Sequence, residues 1–243
     1  MDKVWRLIEH GAMSPKVNMD IDEALLKKHT GGITGPVLRF YQWSPPAISL
    51  GYFQKTGSIN QAALDKYGIS LVRRITGGRA VLHKDDLTYS IVARAGEDTP
   101  LGVEESYRYL CRGLLEGLTL LGVQAALGSE KAVAPFPASC FAVSTKGDIT
   151  CQGKKIIGNA QKREGSSLLQ HGSILLKPQA DLLAEVFSMG GCSQTELLKQ
   201  KMASLEEILN RPVNPKEVKN AFIKGFEQAL GIKFERCDIS QVT

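Results

Sequence analysis

The sequence lacks any long apolar run, because its hydrophobic stretches are short and interrupted by charged residues. A helix needs roughly 20 consecutive apolar residues to cross a bilayer, so no membrane span and no membrane partner are predicted. The N-terminus has an acid at position 2 and no apolar stretch, unlike a secretory signal. Cysteine is also scarce, with five residues and no CxxC pair. This excludes a disulfide framework and a zinc site and predicts a cytoplasmic location.

Runs of basic residues with interleaved aromatics are missing too, so no nucleic-acid partner is expected. The net charge of +5 is mild and favours an acidic partner through long-range attraction. No GxSxG elbow, HExxH motif, Walker loop or GxGxxG loop occurs. A serine triad, a zinc hydrolase and a dinucleotide enzyme are therefore unsupported.

Hydrophobic residues make up 43% of the 243 residues, enough for a substantial core. Short alternating runs predict strands through the first two thirds, starting with an edge strand at 4–8. Helices are predicted over 18–28, 60–67, 104–121, 181–189, 204–209 and 214–230. Because the strands are close enough in sequence to pair antiparallel, an α+β fold is favoured over a doubly wound parallel sheet. No internal repeat or linker is apparent, which favours one domain.

The segment RRITGGRAVLH at 73–83 is the most distinctive part of the chain. Two apolar, strand-like runs flank it. Glycine lets the backbone approach a ligand closely, and arginine offers a planar fork that suits carboxylate or phosphate. The segment therefore predicts a turn that holds an anionic or polar group, although a glycine hairpin with solvated arginines fits the same residues.

Cys140 precedes a strand-like run and is a candidate nucleophile, provided that a nearby positive charge lowers the pKa of its thiol. A buried, inert cysteine is the alternative. Lys155 precedes an apolar pair, so its ammonium can point from a strand into a pocket and polarise a carbonyl. His83 and His171 border strands, where each fits a general base or a structural histidine equally well. Cys192 follows a glycine pair and is predicted to lie in a loop.

Taken together, these segments resemble the biotin/lipoate protein ligase and octanoyltransferase superfamily. The 73–83 segment resembles its signature loop, and GKKIIGNAQ at 153–161 resembles its second motif, whose lysine contacts the acyl carbonyl. SLGYFQ at 49–54 and QHGSI at 170–174 match further family segments. The resemblance implies one catalytic domain of the biotin or lipoyl ligase type over 1–243, with a core at about 5–230. The implied fold is α+β and class II biotin synthetase-like, with mixed, mostly antiparallel sheets flanked by helices.

Within this superfamily, Ser139-Cys140-Phe141 upstream of the lysine motif resembles the cysteine-dependent octanoyl-[acyl carrier protein]:protein N-octanoyltransferases. That resemblance implies that Cys140 takes octanoyl from the phosphopantetheine thioester of acyl carrier protein. The acyl group then passes to a lysine of a lipoyl domain or glycine-cleavage H protein. Lys155 would stabilise the oxyanion and lower the thiol pKa, and no ATP, metal or resident cofactor is expected. A monomer is predicted.

The resemblance also implies a substrate-binding set in which Gly77 and Gly78 leave room for the acyl chain and His83 shapes the site. The set consists of Arg73, Thr76, Gly77, Gly78, Arg79, Ala80, His83, Gly158, Ala160, His171 and Gly172. In one respect the chain departs from the pattern, because Lys84 stands where many relatives place an acid. This leaves open which acid accompanies the histidine.

Two related activities compete with this interpretation. One is an ATP-dependent lipoate or octanoate ligase in which Cys140 is only structural. Many such ligases carry an extra C-terminal domain, whereas this chain ends soon after one domain. The other is an octanoyl amidotransferase that moves the group between lipoyl-bearing proteins. A non-enzymatic acyl-binding module is a third possibility, in which the thiol and the lysine have no task.

Overall fold

The computed structural model describes residues 3–57, 59–128, 145, 147–187 and 192–241, and only the backbone at 192–194 and 241. A mixed sheet of eight strands forms its centre. The strands are β1 (Lys3–Met13), β2 (Val37–Trp43), β6 (Asp86–Arg94), β7 (Ala126–Leu127), β8 (Ile149–Cys151), β9 (Lys154–Glu164), β10 (Ser167–Leu175) and β11 (Ile232–Arg236). Their order across the sheet is β11-β1-β2-β6-β10-β9-β8-β7.

A second sheet of three strands lies beside the first. It consists of β3 (Ala47–Leu50), β4 (Ser70–Arg73) and β5 (Val81–His83), with β3 in the middle. The helices are α1 (Pro15–Thr30), α2 (Gln61–Tyr67), α3 (Val103–Leu120), α4 (Ala180–Val186), α5 (Cys192–Lys201), α6 (Leu205–Leu209) and α7 (Pro215–Leu230), followed by a 3-10 helix (Ile239–Gln241). In the described part of the chain, no helix has the length and apolar character needed to cross a membrane.

The two faces of the large sheet are covered by different elements. Because successive side chains on a strand point to opposite faces, Leu38 and Phe40 of β2 pack with α3 and α7. Val37 of the same strand packs with α1. Further along that second face, α1 and the small sheet enclose the candidate site.

The predicted fold class is confirmed. Strand pairs β2–β6, β6–β10, β10–β9, β9–β8, β8–β7 and β3–β5 are antiparallel, whereas β1–β11, β1–β2 and β3–β4 are parallel. The sheets are therefore mixed and mostly antiparallel, as expected.

Several predicted elements are wrong in detail. The first strand is not an edge strand, since β11 pairs with its outer side from the far end of the chain. Helix α1 starts before 18, because the Ser14 hydroxyl accepts a hydrogen bond from the Val17 amide at 3.4 Å and Pro15 takes the first turn. Cys192 begins α5 instead of lying in a loop.

Candidate active site

A cavity lies between α1, the small sheet and the second face of the large sheet, and its empty space, open solvent included, is about 360 Å³. Its apolar wall comes from Met19 of α1, from Tyr41 and Trp43 of β2, and from Val81 of β5. The remaining lining residues are Ser49, Arg74, His83, Thr88, Gly158, Asn159, Ala160, His171, Gly172 and Ser173. The fold thus brings five predicted residues together: His83, Gly158, Ala160, His171 and Gly172.

A buried ion cluster stands behind one side of the cavity. Asp22 of α1 is 1% exposed and accepts hydrogen bonds on both carboxylate oxygens. Its Oδ1 accepts from Arg39 Nη1 and from Ser90 Oγ, each at 2.8 Å. Its Oδ2 accepts from the Tyr41 hydroxyl at 2.8 Å and lies 3.2 Å from Nδ1 of His171. The carboxylate is therefore fully paired, as a buried charge requires.

The pKa directions in this cluster define the protonation states. Burial alone would raise the pKa of Asp22, but hydrogen bonding from His171 and the charge of Arg39 outweigh it and leave the pKa below its ordinary value. Burial lowers the pKa of His171, although Asp22 acts in the opposite direction. At neutral pH His171 is therefore uncharged, with Nδ1–H donating to Asp22 and Nε2 free to accept.

His171 connects this cluster to the arginine–glycine segment. The Thr76 hydroxyl lies 2.7 Å from His171 Nε2 and donates to it. The same hydroxyl oxygen accepts a hydrogen bond from Arg74 Nε at 3.1 Å. Arg74 donates at one end of this chain and Asp22 accepts at the other, whereas Thr76 and His171 each donate one hydrogen bond and accept one.

Arg74 braces the turn from inside. Its Nη2 donates to the carbonyl oxygens of Gly77 at 2.8 Å and Arg79 at 2.7 Å. Its Nη1 donates to the carbonyl oxygen of Ser49 at 2.7 Å and to the Ser49 hydroxyl at 3.2 Å. Arg74 is 4% exposed, so its guanidinium binds its own turn and the neighbouring strand β3 and not a solvated anion.

Arg73 braces the neighbouring loop from outside. Its Nη1 donates to the carbonyl oxygens of Gly51, Tyr52 and Gln54 at 2.7, 2.9 and 2.9 Å. Gly51 packs against Gly78, where a Cβ on Gly51 would lie 1.9 Å from the Gly78 carbonyl oxygen. Only glycine fits at Gly51, because any side chain would collide with that backbone.

The remaining glycine residues of the segment do not face the cavity. Gly77 and Gly78 are exposed and are not among its lining residues. Gly78 has φ +92°, which favours glycine and closes the turn. Ala80 is fully buried in the core of the small sheet. The structure thus assigns these residues to the shape of the turn, whereas Gly158, Ala160 and Gly172 line the cavity.

A second histidine–carboxylate pair lies on the other side of the cavity. His83 Nδ1 is 2.9 Å from Asp86 Oδ2, and its Nε2 is 2.9 Å from the Ser49 hydroxyl. The His83 ring stacks on Trp43 with a centroid distance of 4.0 Å. Both ring nitrogens and one ring face are therefore engaged.

Asp86 is the acid that accompanies His83 in place of the acid that many relatives carry at the position of Lys84. Its Oδ2 also accepts from Thr88 Oγ1 at 2.9 Å and Ser173 Oγ at 2.7 Å. Asp85, with φ +54°, turns the chain so that the acid three residues after His83 returns to the ring. The carboxylate beside the histidine is thus present, two positions later than in the family pattern.

Lys155 is fully buried and pairs with a carboxylate. Its Nζ lies 2.9 Å from Asp148 Oδ2. That oxygen also accepts from the Thr145 amide at 2.7 Å and the Thr145 hydroxyl at 2.9 Å. Lys155 does not line the cavity. Cys140 lies outside the described residues, and Thr145 follows it by five positions.

A β-bulge sets the direction of Lys155. The pairing of β8 with β9 shifts between Ile149 and Thr150, which places one extra residue in β9. Consecutive residues Ile156 and Ile157 accordingly both pack under α3 and α7. Since a bulge interrupts the alternation of side chains, Lys155 returns to the face on which Gly158 lines the cavity.

Comparison with known proteins now bears on this site. The model of the lipoyl protein ligase A/B catalytic domain matches residues 14–227 of the chain. The chain belongs to this family.

Relatives in the lipoyl protein ligase A/B family cover nearly the whole chain. Octanoyltransferase LipM of Anoxybacillus flavithermus is 41% identical, over 98% of this chain and 90% of the relative. Octanoyltransferase LipM of Moorella thermoacetica is 42% identical, over 96% and 88%. A solved structure of lipoate-protein ligase A bound with ATP is 28% identical with a TM-score of 0.80, over 100% of this chain and 93% of that one. The predicted superfamily is confirmed.

Several residues of this lipoyl protein ligase A/B domain site are missing from the sequence prediction. They are Met19, Asp22, Arg39, Tyr41, Trp43, Ser49, Asp86, Thr88, Asn159 and Ser173. For Asp22 a signal exists: it lies three residues after Met19 and three before Leu25, within the apolar stripe of α1. An acid in such a stripe indicates a buried partner. Because Asp22 also lies near the start of the predicted helix over 18–28, it fits an ordinary N-terminal acid equally well.

Proposed function

We propose that the protein transfers octanoyl from acyl carrier protein, through a thioester on Cys140, to a lysine of a lipoyl domain or glycine-cleavage H protein. Octanoyl transfer in lipoate biosynthesis is the activity that its relatives of about 40% identity support. The donor, the acceptor and the thioester are the parts that this proposal adds.

The proposal rests chiefly on the surroundings of Lys155. Thr145 is tied through Asp148 to the Lys155 ammonium, and Cys140 lies five positions before Thr145, a span of at most about 18 Å. The β-bulge directs Lys155 toward the cavity side of the sheet. A fixed cation near a thiol favours the thiolate and the oxyanion of the tetrahedral intermediate.

Two balanced steps describe the reaction. The Cys140 thiolate attacks the octanoyl thioester carbonyl, a new carbon–sulfur bond forms, and the pantetheine thiolate leaves and takes up a proton. The neutral amine of the acceptor lysine then attacks the acyl-enzyme carbonyl. An amide bond forms, the Cys140 thiolate leaves, and the amine loses a proton to solvent. Because one thioester replaces another in the first step, no ATP is needed.

The three other cysteines whose side chains the structure describes are poorer candidates for the nucleophile. Burial raises the pKa of Cys111 to about 12, although hydrogen bonding from Gln170 acts the other way. Burial also raises the pKa of Cys151 and of Cys237. Since the thiolate is the nucleophile, a raised pKa opposes reaction at neutral pH.

The decisive test is to incubate the protein with octanoyl-acyl carrier protein without ATP and to measure its intact mass. We expect one added octanoyl group, which Cys140→Ser loses and Cys111→Ala, the control, retains. Continued transfer by Cys140→Ser, or an absolute requirement for ATP, would overturn the mechanism and favour the ligase.

Lys155 can be tested against its neighbour. Lys155→Ala should abolish transfer, whereas Lys154→Ala, at a half-buried position, should leave it within about twofold. Because removing one partner of a buried ion pair also destabilises a protein, folding is checked by circular dichroism. Iodoacetamide labelling of Cys140 against pH is a second measurement, and loss of the cation in Lys155→Met should move its midpoint to higher pH. Normal transfer by Lys155→Ala would remove Lys155 from the reaction.

A further inference from the structure

Two aromatic side chains are exposed where the small sheet ends beside the cavity. Phe53 is 89% exposed and Tyr52 is 51% exposed. Their rings meet edge to face with a centroid distance of 4.8 Å. Neither ring belongs to a hydrophobic core cluster, so the fold itself does not account for this pair.

The loop that carries the pair is held in place. Three carbonyl oxygens of this loop accept hydrogen bonds from Arg73 Nη1. The Tyr52 amide donates to the carbonyl oxygen of Thr76 at 2.9 Å, and Thr76 in turn bonds to His171 of the cavity. The rings are thus presented on a braced loop, which lowers the entropy cost of binding a partner.

Basic residues accompany the pair, one in contact range and two on the adjoining loops. Lys162 lies two residues beyond Ala160 on the same face of β9, and its Nζ is 5.9 Å from the Tyr52 ring centroid. Lys55 follows Phe53 in the same loop, and Arg79 follows Gly78, which packs against Gly51. No described residue forms a hydrogen bond or ion pair with the side chain of Lys55, Arg79 or Lys162. The 51–57 and 73–79 segments contain no acid.

We propose that Tyr52, Phe53, Lys55, Arg79 and Lys162 form an aromatic–basic rim that docks the acyl carrier protein donor. This inference rests on the proposed function and adds the surface that selects the donor. The rim adjoins the cavity at Ala160, so a carrier seated there would have its thioester arm beside the cavity mouth. Exposed aromatic residues and arginine are types that concentrate binding energy at interfaces, and the lysines add electrostatic attraction for an anionic partner.

Charge distinguishes the donor from the acceptor. The phosphodiester of the donor arm is anionic, and cations at the rim attract it. The acceptor instead offers a lysine ammonium, which the same cations repel. Because both partners must reach one cavity, the basic rim favours the donor as its occupant.

The test separates docking from chemistry by using two donors. Single-turnover loading, followed by intact mass, is measured with octanoyl-acyl carrier protein and with S-octanoylpantetheine, which has neither the phosphate nor the protein. For Phe53→Ala and for Lys162→Gln we expect loading from the carrier to fall about tenfold more than loading from octanoylpantetheine. High salt should reduce the effect of Lys162→Gln. Leu120→Ala, an exposed apolar residue on α3 across the sheet, is the control and should alter neither rate.

Other outcomes overturn the inference. Equal losses with both donors would make the rim part of the acyl site, and a loss confined to transfer from preloaded enzyme would assign it to the acceptor. If wild-type protein forms no octanoyl adduct with any donor, the proposed function fails. Docking is then decided by equilibrium binding of the carrier bearing its pantetheine arm, whose affinity Phe53→Ala should still reduce about tenfold. Equal affinity of the wild type and Phe53→Ala for the carrier would refute the proposed docking at the rim.

Discussion

The two faces of the large sheet are stabilised in opposite ways. Under α3 and α7 the contacts are largely apolar and very close, because glycine residues let the two helices meet. A Cβ on Gly225 of α7 would lie 2.3 Å from the Gly117 amide nitrogen of α3. A Cβ on Gly113 would lie 2.1 Å from the Phe226 ring. The stability of this face depends on the close fit of the side chains and backbones that meet there.

The cavity face depends on paired polar groups. Asp22, Arg39, His83, Asp86 and His171 are each at most 6% exposed, and each has a hydrogen-bond partner. Buried polar groups are costly unless paired, and pairing fixes both distance and direction. The difference between the faces teaches that one sheet can supply stability on one side and a defined arrangement of donors and acceptors on the other.

Among the substitutions that test the difference between the two faces, removing Asp22 should have the largest effect on the free energy of unfolding. Asp22→Ala leaves the Arg39 guanidinium buried without its carboxylate, and we expect it to lower the free energy of unfolding by about 3–5 kcal/mol. Urea unfolding measures this. Asp20→Ala on the same helix is the control, since the exposed Asp20–Lys16 pair should contribute at most about 1 kcal/mol. Equal stability of the two variants would mean that the polar face does not depend on its carboxylate.

Adding one methyl group to the face under α3 and α7 should have the next largest effect on the free energy of unfolding. Helix propensity alone predicts that Gly225→Ala stabilises α7 by about 1 kcal/mol. The contact with Gly117 predicts the opposite sign, a loss of about 1–3 kcal/mol, because the obstructing atoms are backbone. Lys224→Ala, at the exposed neighbouring position, controls for propensity. A more stable Gly225→Ala protein would show that the helices can separate freely.

Acid should weaken the cavity face. Burial holds the pKa of His171 below its ordinary value of 6.5, so the unfolded chain takes up a proton that the folded chain resists. The contribution of His171 to stability is therefore fully present above pH 6.5 and is lost as the pH falls below it, and burial of His10 and His29 acts in the same direction. The lowered pKa of Asp22 adds a further loss below about pH 3.8.

Urea midpoints between pH 7.5 and 5 measure this effect. The urea midpoint of His171→Gln should decline less steeply with falling pH than that of the wild type. Gly225→Ala, on the face under α3 and α7, should keep the wild-type slope. A midpoint that rises toward pH 5 would contradict the assignment of His171 as neutral.

The smallest effect is expected at Cys111 on α3. Its sulfur accepts only weak hydrogen bonds, from Gln170 Nε2 at 3.8 Å and Asn159 Nδ2 at 3.9 Å. Cys111→Ala should cost about 1 kcal/mol in urea unfolding, because a small buried group is lost, and it should keep octanoyl transfer. Loss of octanoyl transfer in a folded Cys111→Ala protein would show that the face under α3 and α7 contributes to the reaction.

Local signals predicted much of the fold. Asn60 caps α2, and Asn214 with Pro215 opens α7, both as expected. Strand β11 was missed because its partner β1 lies at the other end of the chain, and no short pattern reports such a pairing. The site was predicted only in part, because local patterns do not report distant partners. His83 and His171 were found because they stand beside glycine-containing motifs. Asp22 looks like an ordinary helix acid until its partners are known.

The sequence by itself determined the α+β class, the family, and the motifs that contribute Lys155, His83 and His171. Tertiary structure alone decided that Arg73 and Arg74 bind carbonyl oxygens of their own and neighbouring loops, and that Asp22 meets His171 across 149 positions of chain. Periodicity and capping act over a few residues, so they can be read locally. The pairing of buried charges depends on which strands and helices become neighbours, and only the folded chain brings those groups within hydrogen-bond distance.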